Sequence, residues 1–216
     1  MHPNKLNTSG PAITTAGQPL TSAARVLIMI HGRGGTAADI LTLAEALPVE
    51  DFALLAPQAA GNFWYPYSFL APPAQNEPWL TASLEQLGQL LARVRAAGIT
   101  DENIYFLGFS QGACLALEFV TRNAAKFGGV AAFTGGLIGD RIYPENYKGD
   151  FKGTPVFIGT GDPDPHVPVQ RVHATTALLQ SMHAGVTEKV YPGMGHTISG
   201  DEIAQAGYLV FRAPVS

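Results

Sequence analysis

Ile104-Tyr105-Phe106-Leu107-Gly108-Phe109-Ser110-Gln111-Gly112-Ala113-Cys114 is the stretch that decides the fold. Its first six residues are apolar and short, as a buried strand requires, and Gln111–Asn123 continues with a helical pattern. Between them lies G-x-S-x-G, at Gly108 to Gly112. Five letters with two free positions are weak alone, but a strand before and a helix after are the context the pattern needs. Serine at a sharp strand-to-helix turn is strained, and glycines two residues to either side let neighbouring backbone come close. Its hydroxyl is presented at a helix N-terminus, where N–H groups favour a developing oxyanion. The bland alternative is a glycine-rich turn with an inert serine.

Outward from this stretch, strands and helices alternate. Val26–Ile30 reads as a buried strand that runs into His31-Gly32-Arg33-Gly34-Gly35. Thr36 with Asp39 is a capping-box variant, opening a helix that carries Ile40, Leu41, Leu43, Ala44 and Leu47 and stops at Pro48. Phe52–Ala56, Val130–Thr134, Val156–Thr160 and Thr187–Tyr191 read as further strands. Helices are expected over about 81–97, closed by Gly98, over 169–184 and over 200–211. Several strands are apolar on both faces, which indicates a mainly parallel sheet covered by helices on both sides. Ile13–Gly17, followed by Pro19-Leu20, has the pattern of an edge hairpin within an N-terminal segment 1–25. No repeat or linker divides the chain, so residues 1–216 are expected to form one domain.

The composition agrees. The chain has 216 residues, 46% hydrophobic and 14% charged, enough to bury a core. Thirteen basic against seventeen acidic residues give −4, with no basic stripe, so no nucleic-acid partner is expected. The longest aliphatic run has five residues, Val26–Ile30, too few for a membrane span, and no signal-peptide pattern is seen. The single cysteine, Cys114, makes a reducing cytoplasm the simplest expected location. Gly (24) and Pro (16) are abundant, and many fall in loops at 31–35, 57–79, 161–168 and 192–195.

A serine nucleophile needs a base oriented by a carboxylate. Of six histidines, His2 is terminal, while His173 and His183 fall on the 169–184 helix and read as surface residues. His31 suits backbone placement, and His166 lies in a Pro-rich loop. His196 follows a strand in Tyr191-Pro192-Gly193-Met194-Gly195-His196, at the kind of strand end where ligand chemistry collects. For the acid, Asp162 and Asp164 both follow strand Val156–Thr160, and the chemistry alone does not separate them. The order Ser, Asp, His is the one α/β-hydrolases use. The oxyanion donors expected are the backbone N–H of Gln111 and that of Arg33, whose flanking glycines let it point inward. A metal-dependent reading through Asp162, Asp164 and His166 fits zinc-ligand spacing poorly. Residues 57–79 form a long loop, and Trp64, Tyr65 and Trp79 within it are expected to line an apolar acyl or aryl pocket, with simple cover of the sheet edge as the alternative.

Taken together, His31-Gly32-Arg33-Gly34-Gly35, Gly108-Phe109-Ser110-Gln111-Gly112, Asp164-Pro165-His166-Val167-Pro168 and Gly195-His196 resemble the phospholipase/carboxylesterase branch of the α/β-hydrolases, which includes acyl-protein thioesterases. The resemblance covers nearly the whole chain from Val26. It implies that the acid is Asp164, the aspartate before a Pro-x-Val-Pro run, and that Arg33, the residue after His-Gly, is the second oxyanion donor. It also implies an α/β-hydrolase fold, and the elements read above consume most of the chain, so no separate cap domain is expected. Arg33 and the aromatic stretch Asn62-Phe63-Trp64-Tyr65-Pro66 depart from the thioesterase pattern, which turns the expectation toward small bacterial carboxylesterases. The expected activity is therefore a serine carboxylesterase for short- to medium-chain or aryl esters, with no cofactor and a small-molecule ester as its partner. Lysophospholipase or acyl thioesterase activity is the alternative, and a non-catalytic binder on a hydrolase scaffold comes behind it. A homodimer is compatible with all of these.

Overall fold

The computed structural model describes residues 12–211. His2 and the start of the N-terminal segment lie outside them. Seven strands form one sheet: β1 (Ile13–Gly17), β2 (Arg25–Ile30), β3 (Phe52–Pro57), β4 (Ile104–Phe109), β5 (Gly129–Phe133), β6 (Pro155–Asp162) and β7 (Gly185–Pro192). Their order is β1-β3-β2-β4-β5-β6-β7, and every pairing is parallel except β1 on β3.

Alternation along the strands explains why both faces are apolar. On β2, Val26, Ile28 and Ile30 join one core, with Phe106 of β4. That face is covered by α2 (Trp79–Ala96), α3 (Gln111–Arg122) and α4 (Val169–Ser181) through Leu87, Leu91, Leu115, Phe119 and Val172. Leu27 and Met29 join the other core with Leu107. There α1 (Ala37–Leu41), α5 (Gly200–Ala206) and the π-helical turn Gly207–Phe211 contribute Ile40, Ala206, Val210 and Phe211. Two apolar faces with period two on inner strands such as β2 and β4 are what a parallel sheet between helical layers demands. This is the mainly parallel sheet, covered by helices on both sides, that the sequence pattern implied.

Three local expectations change. Ile13–Gly17 is an edge strand, but it pairs antiparallel with β3, from Ile13 opposite Pro57 to Gly17 opposite Ala53, and does not fold back on its own continuation as a hairpin. The helix opened by Thr36 has its capping box, yet it tightens after five residues into a 3₁₀ segment, Thr42–Ala46. There Thr42 Oγ1 donates to the Asp39 carbonyl at 2.7 Å, a local bond that competes with the α-helical ladder. His183 lies just past the end of α4, in the left-handed region at φ 62°.

Between β3 and α2, residues 58–78 hold only two single-turn 3₁₀ helices, so the loop is not a cap domain. Among the described residues no helix is long and apolar enough to cross a membrane.

Candidate active site

The parallel sheet places the carboxyl ends of β2, β4, β6 and β7 along one edge, and the loops leaving them meet there. Ser110 follows β4 and precedes α3 with φ 54° and ψ −120°. This region is costly for a residue with a side chain and is held only by its surroundings. The Ser110 N–H donates to the Phe133 carbonyl of β5 at 2.9 Å, and its carbonyl accepts the Cys114 N–H at 3.0 Å. A Cβ on Gly112 would collide with the Ile30 and His31 carbonyls, so glycine there lets α3 press onto the end of β2. Gly32 does the same from the other side, where a Cβ would come within 3.4 Å of both Phe109 and Ser110.

Three side chains fall into line. Ser110 Oγ stands 2.7 Å from His196 Nε2. His196 Nδ1 stands 2.8 Å from Asp164 Oδ2. The other carboxylate oxygen, Oδ1, accepts the N–H groups of His166 at 2.7 Å and Val167 at 2.9 Å, so the Asp164 loop is wrapped around its own carboxylate. The Asp164 side chain is 0% exposed and that of His196 20%. Burial alone would raise the Asp164 pKa. The two N–H groups and the His196 imidazole outweigh it, leaving the carboxyl below its ordinary value and ionised. Asp162, the other candidate, ends β6 exposed, and its carbonyl accepts the Gly193 N–H at 2.7 Å, which ties the acid loop to the histidine loop. The His196 ring sits between Phe109, 5.5 Å away between centroids, and His166, 4.8 Å away and nearly perpendicular.

The loop after β2 lies beside Ser110. Among the described residues neither the Arg33 nor the Gln111 backbone N–H donates to a protein acceptor. His31 is buried and anchors the loop. The Ala59 N–H donates to its Nε2 at 3.1 Å, which leaves the proton on Nδ1, 2.8 Å from the Gly32 carbonyl. Burial lowers the His31 pKa, only partly offset by that carbonyl and by Asp39.

A cleft of about 530 Å³ opens at Ser110 and His196. Its walls include Arg33, Tyr65, Phe69, Leu70, His166 and Val167. Of the three aromatics expected there, Tyr65 lines it while Trp64 and Trp79 do not. Trp64 is 1% exposed and turned inward, its Nε1–H donating to the His31 carbonyl at 2.8 Å. Trp79 is 48% exposed at the start of α2. Periodicity could not foresee this, because in an irregular loop the direction of a side chain follows from distant partners. Cys114, one turn along α3 from the serine, is buried, and burial pushes its thiol up to about 12. It is no rival thiolate nucleophile at neutral pH.

Two further residues carried no signal in the sequence. Glu118 is buried on α3 and accepts from Arg122 Nε, the Ile138 N–H and the Tyr147 hydroxyl, binding the segment after β5 to the helix beneath Ser110. Asn76, fully buried, accepts the Tyr67 N–H and donates to the Ser68 carbonyl, pinning the cleft wall.

The sequence profile of the phospholipase/carboxylesterase family matches residues 11–208. The chain belongs to this family. A solved structure of a phospholipase/carboxylesterase from Dyadobacter fermentans is similar to this member throughout, with 54% identity, a TM-score of 0.93, and coverage of 97% of this chain and 100% of that one. A probable carboxylesterase SOBER1-like protein of Arabidopsis thaliana is 31% identical, over 92% of this chain and 82% of that protein. An acyl-protein thioesterase 1 of Gibberella zeae is 32% identical over a shorter stretch, 50% of this chain and 46% of that one. A carboxylesterase structure from Bacillus cereus shares the fold, with a TM-score of 0.76 at 22% identity over 93% of each chain. Family membership accords with the expectation of a carboxylic ester hydrolase.

Proposed function

We propose that this family member is a serine carboxylesterase that hydrolyses short- to medium-chain or aryl carboxylic esters through an acyl-enzyme. The observation that carries the reading is the unbroken line from Ser110 Oγ to His196 Nε2 and from His196 Nδ1 to Asp164, opening on a cleft of small-molecule size.

In the first step Ser110 Oγ attacks the ester carbonyl carbon while its proton passes to His196 Nε2. Asp164 keeps the Nδ1–H tautomer and stabilises the imidazolium that forms. The carbonyl oxygen, now an oxyanion, accepts from the N–H groups of Arg33 and Gln111. Collapse breaks the bond to the alkoxy oxygen, which takes the proton from His196 and leaves as the alcohol. His196 then deprotonates water, whose oxygen attacks the acyl carbon. Collapse of that second adduct returns the proton to Ser110 and frees the acid. The site supplies no group that must be oxidised or reduced.

A panel of p-nitrophenyl esters from acetate to laurate tests the reading. Activity on the shorter members is expected, and Ser110→Ala is expected to lose it by more than the ~10²–10³ that one missing oxyanion donor costs. A folded Ser110→Ala with wild-type turnover would sink the assignment. Relatives named as acyl-protein thioesterases favour a second reading, cleavage of acyl thioesters by the same atoms. A kcat/KM for an acyl thioester above that for the oxygen ester of equal chain length would favour it.

A further inference from the structure

The two residues assigned the oxyanion N–H groups share a second task, performed by their side chains. Arg33 Nη2 donates to the carbonyls of Tyr65 at 2.9 Å and Tyr67 at 2.8 Å, and Nη1 donates to that of Pro66 at 2.9 Å. Gln111 Nε2 donates to the same Tyr65 carbonyl at 2.8 Å, and its Oε1 accepts the Trp64 N–H at 2.9 Å. Both lone pairs of the Tyr65 oxygen are thereby filled by the two oxyanion residues. Residues 65–67 are also part of the cleft wall.

Three consecutive carbonyls turned toward one side chain are not satisfied by any helix or sheet ladder. A planar guanidinium with five fixed N–H donors suits them, whereas a single ammonium does not. Among the described residues no carboxylate lies within ion-pair distance of Arg33. Its hydrogen-bonding side chain is thus committed to this short strap. The strap is held from behind as well, by Ser83 Oγ on the Trp64 carbonyl at 2.7 Å and by Asn76 Oδ1 on the Tyr67 N–H at 2.8 Å.

We propose that the Arg33 guanidinium is a positioning residue that sets substrate preference in the reaction proposed above. It joins the cleft wall at 65–67 to the loop carrying its own oxyanion N–H, so that the surface receiving the substrate and the donors receiving the oxyanion keep one spacing. The inference rests on the esterase reading of the site. A guanidinium that merely stapled a loop would affect melting temperature alone. One that sets the spacing also affects turnover and acyl-length preference, because a misplacement of ~1 Å at reacting atoms costs about 10²-fold.

Arg33→Met keeps the backbone N–H and removes the fork. Steady-state kinetics on p-nitrophenyl acetate, butyrate and octanoate, with melting temperatures alongside, separate the cases. The expected result for Arg33→Met is kcat lower by about tenfold or more, with the octanoate-to-acetate ratio of kcat/KM changed by a similar factor. Arg33→Lys is expected to recover part of both. The double variant Arg33→Met/Gln111→Met is expected to lose less than the product of the single losses, since both side chains act on the Tyr65 carbonyl. A folded Arg33→Met with wild-type kcat and wild-type ratio overturns the inference, whatever its melting temperature. Should Arg33→Met not fold, Arg33→Gln takes its place with the same two outcomes. A wild type that cleaves none of the esters removes the esterase reading, whereas an active wild type with unaltered variants removes only this inference.

Discussion

Replacing Asp164 by asparagine changes one atom of a buried carboxylate, and the structure dictates which way the amide must face. The N–H groups of His166 and Val167 both need an acceptor at the Oδ1 position, at 2.7 and 2.9 Å. The amide oxygen must therefore stay there, which puts the NH₂ where Oδ2 stands, 2.8 Å from His196 Nδ1. Two donors then face each other unless the imidazole moves its proton to Nε2. In that tautomer Nε2 points a hydrogen at Ser110 Oγ, 2.7 Å away, and has no lone pair with which to take the serine proton. A serine–histidine pair held in the wrong tautomer loses about 10⁴ in kcat, or roughly 5.4 kcal/mol at 1.36 kcal/mol per decade. The fold should survive, because the two backbone bonds are kept. The change does remove a carboxylate whose pKa lies below the ordinary value. Its contribution to stability is present above about pH 3.9 and is lost as pH falls through the depressed folded value. The assay is steady-state hydrolysis of p-nitrophenyl butyrate at pH 7.5, with circular dichroism to establish folding. A folded Asp164→Asn whose kcat lies within about tenfold of wild type would refute the tautomer argument.

Gly112→Ala is expected to abolish folding or to lower the melting temperature by about 10 °C or more, because the added methyl meets the carbonyls of Ile30 and His31; calorimetry checks it. Trp64→Ala is expected to cost about 3–5 kcal/mol of stability by emptying a buried site, while Trp79→Ala stays within about 0.5 kcal/mol and leaves kcat/KM unchanged. Equal effects of the two in urea titration would contradict their placement. His31 is held neutral by burial, with its pKa depressed, whereas the unfolded chain takes up that proton near pH 6.5. Stability should thus be full above about pH 6.5 and decline as pH falls toward the depressed folded value. The urea midpoint should drop between pH 7.5 and 5.5 in wild type and drop less in His31→Asn; identical drops would remove His31 as the cause.

Much of the fold was legible because its signals are local. Val26–Ile30 and Ile104–Phe109 read as buried strands from length and apolarity, and both sit inside the sheet. Thr36 and Asp39 announced a helix start through a capping box that is present. The length of that helix was not legible, since the bond from Thr42 to Asp39 and the packing of one turn decided it. Nor was the partner of β1. Ile13–Gly17 is short and polar enough for any sheet edge, and only the completed sheet offered β3.

At the site, the sequence alone determined what steric rules and spacing control: a serine framed by glycines between strand and helix, and an acid and a histidine following later strands in a fixed order. These survive any rearrangement of loops, because a parallel sheet brings the carboxyl ends of its strands to one edge. Tertiary structure decided where irregular chain points its side chains. Asp164 meets His196 while Asp162 is left exposed at the end of β6, because the N–H groups of His166 and Val167 orient the first carboxylate. Trp64 is turned into the core by a bond to a carbonyl thirty-three residues earlier, and Arg33 reaches carbonyls thirty-two to thirty-four residues later. Such directions are set by hydrogen-bond partners that become neighbours only once the chain has folded, so no pattern within the loop itself encodes them.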